Sequence, residues 1–281
     1  MAETSGWKNT LEFSTTAAHS YYSDNWDGAE TGALSWASVL KGSAAKNFNA
    51  NYRQENKFLL EFGQTKIAGK DGSSGETVNS SDLIELESMQ RFPLGGWADP
   101  FATIKAESRF TDERADAAHY VNPLRLTESF GAIKTLMDSE KSRLMLSLGA
   151  AVNQNIDRYF PDGQGGVQNK TVNDAGIEAV LDYSGGLKEG VITYSSILDI
   201  FGALVRADAD EASDDKWKYP DLDWQNTLKI NLTEFIIINI NAQLLYDREI
   251  SENARIKDVL SAGVTFSLPA QSSSSTNKDE K

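Results

Sequence analysis

The chain carries few reactive groups: no cysteine, two histidines at His19 and His119, and charged residues that recur at every second position in three segments. A histidine is the natural general base for a serine nucleophile, but the two must lie within hydrogen-bond reach. His19 directly precedes Ser20, so on a strand their side chains point to opposite faces. His119 lies in a polar stretch beside Tyr120. Without cysteine, two histidines are too few for a zinc cage. Glu85 and Glu87 form a carboxylate pair of the kind glycosidases use, but Arg91, Lys105 and Arg109 would keep both ionised, which suits no general acid. Gly163, Gly165 and Gly166 precede no helix and make no phosphate cradle. The acidic stretch of Asp208, Asp210, Glu211, Asp214 and Asp215 is the one weak candidate for a metal, calcium. It lacks the glycine and distal glutamate of an EF-hand, and a solvated acidic loop accounts for it better. The sequence reads as a non-enzyme with no cofactor.

The alternating charges are more informative. Arg53, Glu55, Lys57 and Glu61 share one face of a two-residue period, as do Glu85, Glu87 and Arg91, and then Lys105, Glu107 and Arg109. On neighbouring strands, residues on one face sit about 4.5 to 5.5 Å apart, so three such strands can build a continuous ion-pair ladder. Two roles fit it: a salt-bridged filling that narrows an interior, or the selectivity lining of a pore.

Strands must position such a ladder, and the whole chain alternates. Leu144, Leu146, Leu148, Ala150 and Val152 alternate with Arg143, Met145, Ser147, Gly149 and Asn153. Leu260, Ala262, Val264, Phe266 and Leu268 do the same against small polar residues, as do Ile238, Ile240, Ala242, Leu244 and Tyr246. This reading predicts about twelve strands: 7–22, 32–43, 48–66, 82–93, 100–111, 124–136, 142–156, 173–185, 190–204, 223–233, 236–248 and 259–268. The connections alternate between long polar segments, such as 24–31 and 157–172, and tight turns, such as 44–47 and 137–141. A meander of even strand count with all its short turns at one end is the layout of a transmembrane β-barrel. Closure also pairs every backbone group, as a bilayer requires. Glu128 interrupts an apolar face between Leu126 and Phe130, which predicts a bulge, a shifted register or a position near the membrane interface.

Composition agrees with this layout. A net charge of -14 repels a phosphate backbone and argues against nucleic acid as a partner. The mean hydropathy is -0.42, and the chain has no apolar run near the length of a spanning helix. The start, Met-Ala-Glu-Thr-Ser, lacks the features of a secretory signal, which fits a cytoplasmic chain or a mature exported form. Residues 269–281, with four consecutive serines, read as a disordered polar tail after a single barrel domain over 1–268.

The pair Gly6-Trp7, the segment Asn25-Trp26-Asp27-Gly28 and the run Leu244-Leu245-Tyr246-Asp247 resemble an outer-membrane β-barrel family of Gram-negative bacteria whose function is uncharacterised. Ala29 stands where that family usually has a second glycine. The resemblance implies fold and location, an outer-membrane barrel, and brings no catalytic residues. The expectation is therefore an all-β, single antiparallel up-and-down barrel. It would act as a passive pore or a structural surface barrel, in contact with outer-membrane lipid and lipopolysaccharide and open to small polar solutes. The alternative is a soluble or surface all-β binding protein for carbohydrate or a small apolar ligand, which would turn its apolar faces inward.

Overall fold

The computed structural model describes residues 6–20, 32–67, 75–114, 120–160, 166–188, 191–207 and 215–268. Twelve strands form: β1 (Lys8–Ser20), β2 (Ala33–Asn49), β3 (Tyr52–Ile67), β4 (Thr77–Arg91), β5 (Asp99–Ser108), β6 (Leu124–Asp138), β7 (Ser142–Tyr159), β8 (Gln168–Lys188), β9 (Ile192–Arg206), β10 (Asp221–Asn231), β11 (Ile236–Tyr246) and β12 (Arg255–Leu268). Each pairs antiparallel with its neighbours in sequence, and β1 pairs with β12 to close the barrel. The closing seam runs from Leu11 opposite Leu268 to Thr16 opposite Gly263. A single 3-10 turn, Lys216–Lys218, is the one helical element among the described residues.

Short polar side chains tie the tight turns. Asn49 Oδ1 accepts from the Asn51 amide at 2.8 Å, an Asx turn joining β2 to β3. Ser139 Oγ accepts from the Ser142 amide at 3.0 Å between β6 and β7. Thr233 Oγ1 accepts from the amides of Phe235 and Ile236 between β10 and β11.

The strand count matches the sequence reading, but several ends move. The turn expected at 44–47 is instead part of β2, where Lys8 pairs with Ala45 on one side and Lys46 pairs with Gln54 on the other. The run Ser43 to Asn47 carries no apolar alternation of its own, and ladder pairing on both sides, to β1 through Ala45 and to β3 through Asn47, holds it in the strand.

The faces are inverted relative to a soluble barrel. On β6 and β7, Phe130 and Leu148 are 67% and 56% exposed, while their neighbours Ser129 and Ser147 are buried. The few buried large apolar residues, among them Phe101, Ile133, Phe201 and Ile237, point inward. Glu128 sits in an unbroken register opposite Ile104 and Val152. It is an outward carboxylate on the apolar face, with neither a bulge nor a slip.

Two aromatic clusters bound the apolar face. At the short-turn end Trp7 meets Phe48 edge-on at 5.9 Å, and Phe48, Tyr52 and Phe92 stack in sequence at 5.1 and 5.5 Å. Lys46 and Lys134 lie over Phe48 and Trp97 there. Toward the long-loop end Trp36, Phe62 and Phe110 pack edge-to-face. Tyr52 and Phe62 both stand on β3, ten residues apart. At roughly 3.3 Å per residue and a tilt of about 40°, the belt between the clusters is about 25 Å high.

Candidate pore lumen

Inside the barrel the alternating charges of β3, β4 and β5 meet as a ladder. Arg53 pairs with Glu55 at 3.1 Å, and Lys57 reaches Glu55 at 4.0 Å and Glu87 at 3.4 Å. Lys105 bridges Glu85 at 3.8 Å and Glu107 at 3.4 Å. Arg91 turns to the short-turn end, where it meets Asp99 at 2.6 Å and donates to Thr135. Register brings them together: Lys57 lies opposite Glu87, which lies opposite Lys105. Glu61 shares the inward face of β3 but takes no part in the ion pairs among the described residues.

Arg109 does not join the ladder. The strand expected over 100–111 ends at Ser108, whose hydroxyl donates to the Pro123 carbonyl at 2.9 Å. The chain then crosses to β4, where the amides of Phe110 and Thr111 donate to the Asp82 carboxylate. Arg109 is left exposed at the rim.

The opposite wall carries charges that the sequence reading did not single out. A cavity of about 220 Å³ is lined by residues of every strand from β3 to β10. Five cations, Arg53, Lys57, Arg91, Lys105 and Arg143, face seven acids there: Glu55, Glu85, Glu87, Glu178, Asp182, Asp199 and Asp223. Lys57 lies in electrostatic reach of Asp182 on β8, and Lys105 of Asp199 on β9. Glu178 accepts a hydrogen bond from Ser129. Glu12 on β1 takes Lys41 at 3.3 Å and Lys229 of β10 at 2.8 Å, extending the network around the wall. Asp199 and Arg143, whose Oδ1 and Nε are buried without a hydrogen-bond partner, both line this cavity.

A second polar cluster clasps the long-loop rim between β5 and β7. Asp112 is buried and receives Arg114 at 2.6 Å and the Asn122 amide at 2.9 Å. Arg114 also holds Asp157 at 2.7 Å, and Asn122 bonds the Arg158 backbone in both directions. Arg158 Nη2 caps the carbonyls of Tyr120 and Val121, and Val121 stands at a φ of 49, a conformation rare for a β-branched residue. Burial pushes the Asp112 carboxyl up, but the hydrogen bonds from Arg114 and Asn122 outweigh it and hold it below the usual aspartate range. The same contacts raise Arg114 further above its already high value.

The remaining candidates are not brought together. His19 is exposed near the end of β1, and the adjacent Ser20 bonds the Ala33 backbone. His119, the Asn25 to Gly28 segment, Asp208, Asp210, Glu211, Asp214 and the tail 269–281 lie outside the described residues. Asp215 pairs with Lys218 at 2.6 Å on the surface.

No family model and no curated protein matches the chain. Among solved structures it is similar to an outer membrane channel from Pseudomonas putida, at 12% identity and a TM-score of 0.45, covering 96% of this chain and 97% of that one. It is also similar to the translocator domain of the autotransporter NalP from Neisseria meningitidis, at 10% identity and a TM-score of 0.40, covering 95% and 89%. The β domain of a Bordetella autotransporter matches at 9% identity and a TM-score of 0.37, covering 94% and 99%.

Proposed function

We propose that this chain spans an outer membrane as a closed barrel and acts as a narrow, passive conduit for small polar solutes. One observation carries the reading: apolar residues face outward in a belt between two aromatic clusters, while ion pairs face inward. A soluble binding barrel needs the opposite polarity, because its apolar residues must fill the core. The short turns then face the periplasm, and the long-loop rim faces the lipopolysaccharide leaflet.

The lumen charges limit passage and bias it. Across the lumen Lys57 stands in electrostatic reach of Asp182 on β8 and Lys105 of Asp199 on β9, and the excess of acids in the cavity favours cations. The test is insertion of purified protein into a planar bilayer, with heat-modifiable gel migration as the check that it has folded. Discrete conductance steps with a cation-biased reversal potential are the expected result. A folded, inserted and silent barrel would assign it a structural role, and protein that stays soluble and monomeric without detergent would overturn the membrane reading.

A further inference from the structure

The outer wall of β1 to β5 departs from a plain apolar belt. A groove of about 590 Å³ opens there, with Asn9, Ala44, Asn56, Phe58, Leu86, Ser88 and Ala106 in its lining, and the register sets three outward rows across this part of the wall, the lowest just outside the groove. Nearest the short-turn end Lys46, Gln54 and Gln90 lie side by side. One step up come Asn9, Ala44, Asn56 and Ser88. The next row is Gly42, Phe58, Leu86 and Ala106.

The two lower rows are joined by side chains. Ser88 Oγ donates to Asn56 Oδ1 at 2.8 Å, Gln54 Nε2 donates to the same oxygen at 3.2 Å, and Gln90 Nε2 donates to Ser88 Oγ at 2.9 Å. The side chain of Ala44 is too short to close the gap between Asn9 and Asn56. The Phe58 ring lies over Gly42, where an added Cβ would meet it at 2.5 Å. The concavity therefore depends on small residues at both positions.

We propose that this groove binds one phospholipid of the periplasmic leaflet. The proposal rests on the membrane reading above and adds a specific ligand to it. From the girdle inward the wall presents an ammonium beside stacked aromatics, then amides and a hydroxyl, then aliphatic and aromatic carbon. A phospholipid presents phosphate, ester carbonyls and acyl chain in the same order. Lys46 pairs with the phosphate, the outward amides of Gln54 and Asn56 donate to ester carbonyls, and an acyl chain lies along Phe58, Leu86 and Ala106. Asn56 Oδ1 accepts from Ser88 and Gln54, while Asn56 Nδ2 donates in none of the hydrogen bonds among the described residues; a donor left facing lipid is costly, and an ester carbonyl at that depth satisfies it.

The experiment folds the protein into phosphatidylcholine vesicles containing phosphatidylglycerol, extracts it in mild detergent and counts retained lipid by native mass spectrometry. Wild type should retain one phospholipid. Ala44→Leu, which fills the gap, and the double variant Asn56→Leu with Ser88→Ala, which removes the polar row, should each cut retention about fivefold or more, as expected for one or two lost hydrogen bonds or their equivalent. Lys46→Gln should abolish any preference for phosphatidylglycerol. Ala242→Leu, on the outward face of β11, should change nothing. Equal retention in wild type and in the groove variants overturns the site, and so does a protein dimer in place of the lipid adduct. Failure of wild type to insert and show heat-modifiable migration overturns the membrane reading itself, a result distinct from loss of lipid by an inserted barrel.

Discussion

Asn122 shows how much of a rim can hang on one amide. It is fully buried and joins Asp112, Asp157 and the Arg158 backbone across three segments of chain. Asn122→Ala would leave the buried Asp112 carboxylate short of a donor, at a cost of about 1 to 3 kcal/mol of local stability. Hydrogen exchange should then speed up at 110–114 and 120–123, and trypsin should cut faster after Arg114, with the strands unchanged. Because the Asp112 carboxyl is held below its ordinary range, its contribution to the clasp is complete above that range and is lost as pH falls through the lower native value. Exchange at 110–114 and 120–123 should therefore be independent of clasp titration near neutrality and rise only in strong acid; loosening between pH 5 and 7 would contradict this assignment. Glu128 makes the opposite case, an outward carboxylate opposite Ile104 and Val152. Glu128→Leu should stabilise the inserted barrel, whereas Leu148→Lys on the same face should destabilise it by about 2 to 4 kcal/mol. Urea titrations in vesicles would measure both, and a neutral Leu148→Lys would put that face outside the bilayer.

Among the strands, the ladder is the element whose parts depend on one another. Lys105 stands between Glu85 and Glu107, so Lys105→Gln should leave two carboxylates facing the cavity without their cation. We expect the cation-to-anion permeability ratio, read from the reversal potential, to rise by about twofold or more. No change would mean that solutes do not pass this level. The two-residue period made the strands, their number and the ladder legible, because each follows from one residue and its neighbours along the chain. Arg109 was misread because the end of β5 is set by the Pro123 carbonyl and the Asp82 carboxylate, both distant in sequence. Glu178, Asp182 and Asp199 were missed for a related reason. On β8 and β9 the inward charges alternate with Val180 and Ile197, so neither strand looks charged by itself. Only closure of twelve strands sets them opposite Lys57 and Lys105. Their parity against the outward Ala179, Leu181, Leu198 and Ile200 was the signal that could have found them.

At the scale of the whole molecule the belt has to match a bilayer. From Tyr52 to Phe62 it spans about 25 Å, less than the roughly 30 Å hydrocarbon core of an average membrane and close to the height of an outer-membrane belt. A thicker bilayer must thin around such a barrel, at a cost of a fraction of a kcal/mol per Å of mismatch, and that cost falls on the folding step. The protein should therefore fold from urea more completely into vesicles of dilauroyl than of dioleoyl phosphatidylcholine, with heat-modifiable migration as the readout. Trp36 and Phe62 fix the upper edge, so Trp36→Ala should weaken that preference. Trp217, half-buried in the 3-10 turn beyond β9 and part of neither aromatic cluster, should leave the preference unchanged when replaced. Equal folding in both lipids would mean that the aromatic clusters do not mark the membrane boundary. The belt would then have to be read from the apolar residues alone, with Glu128 well inside it.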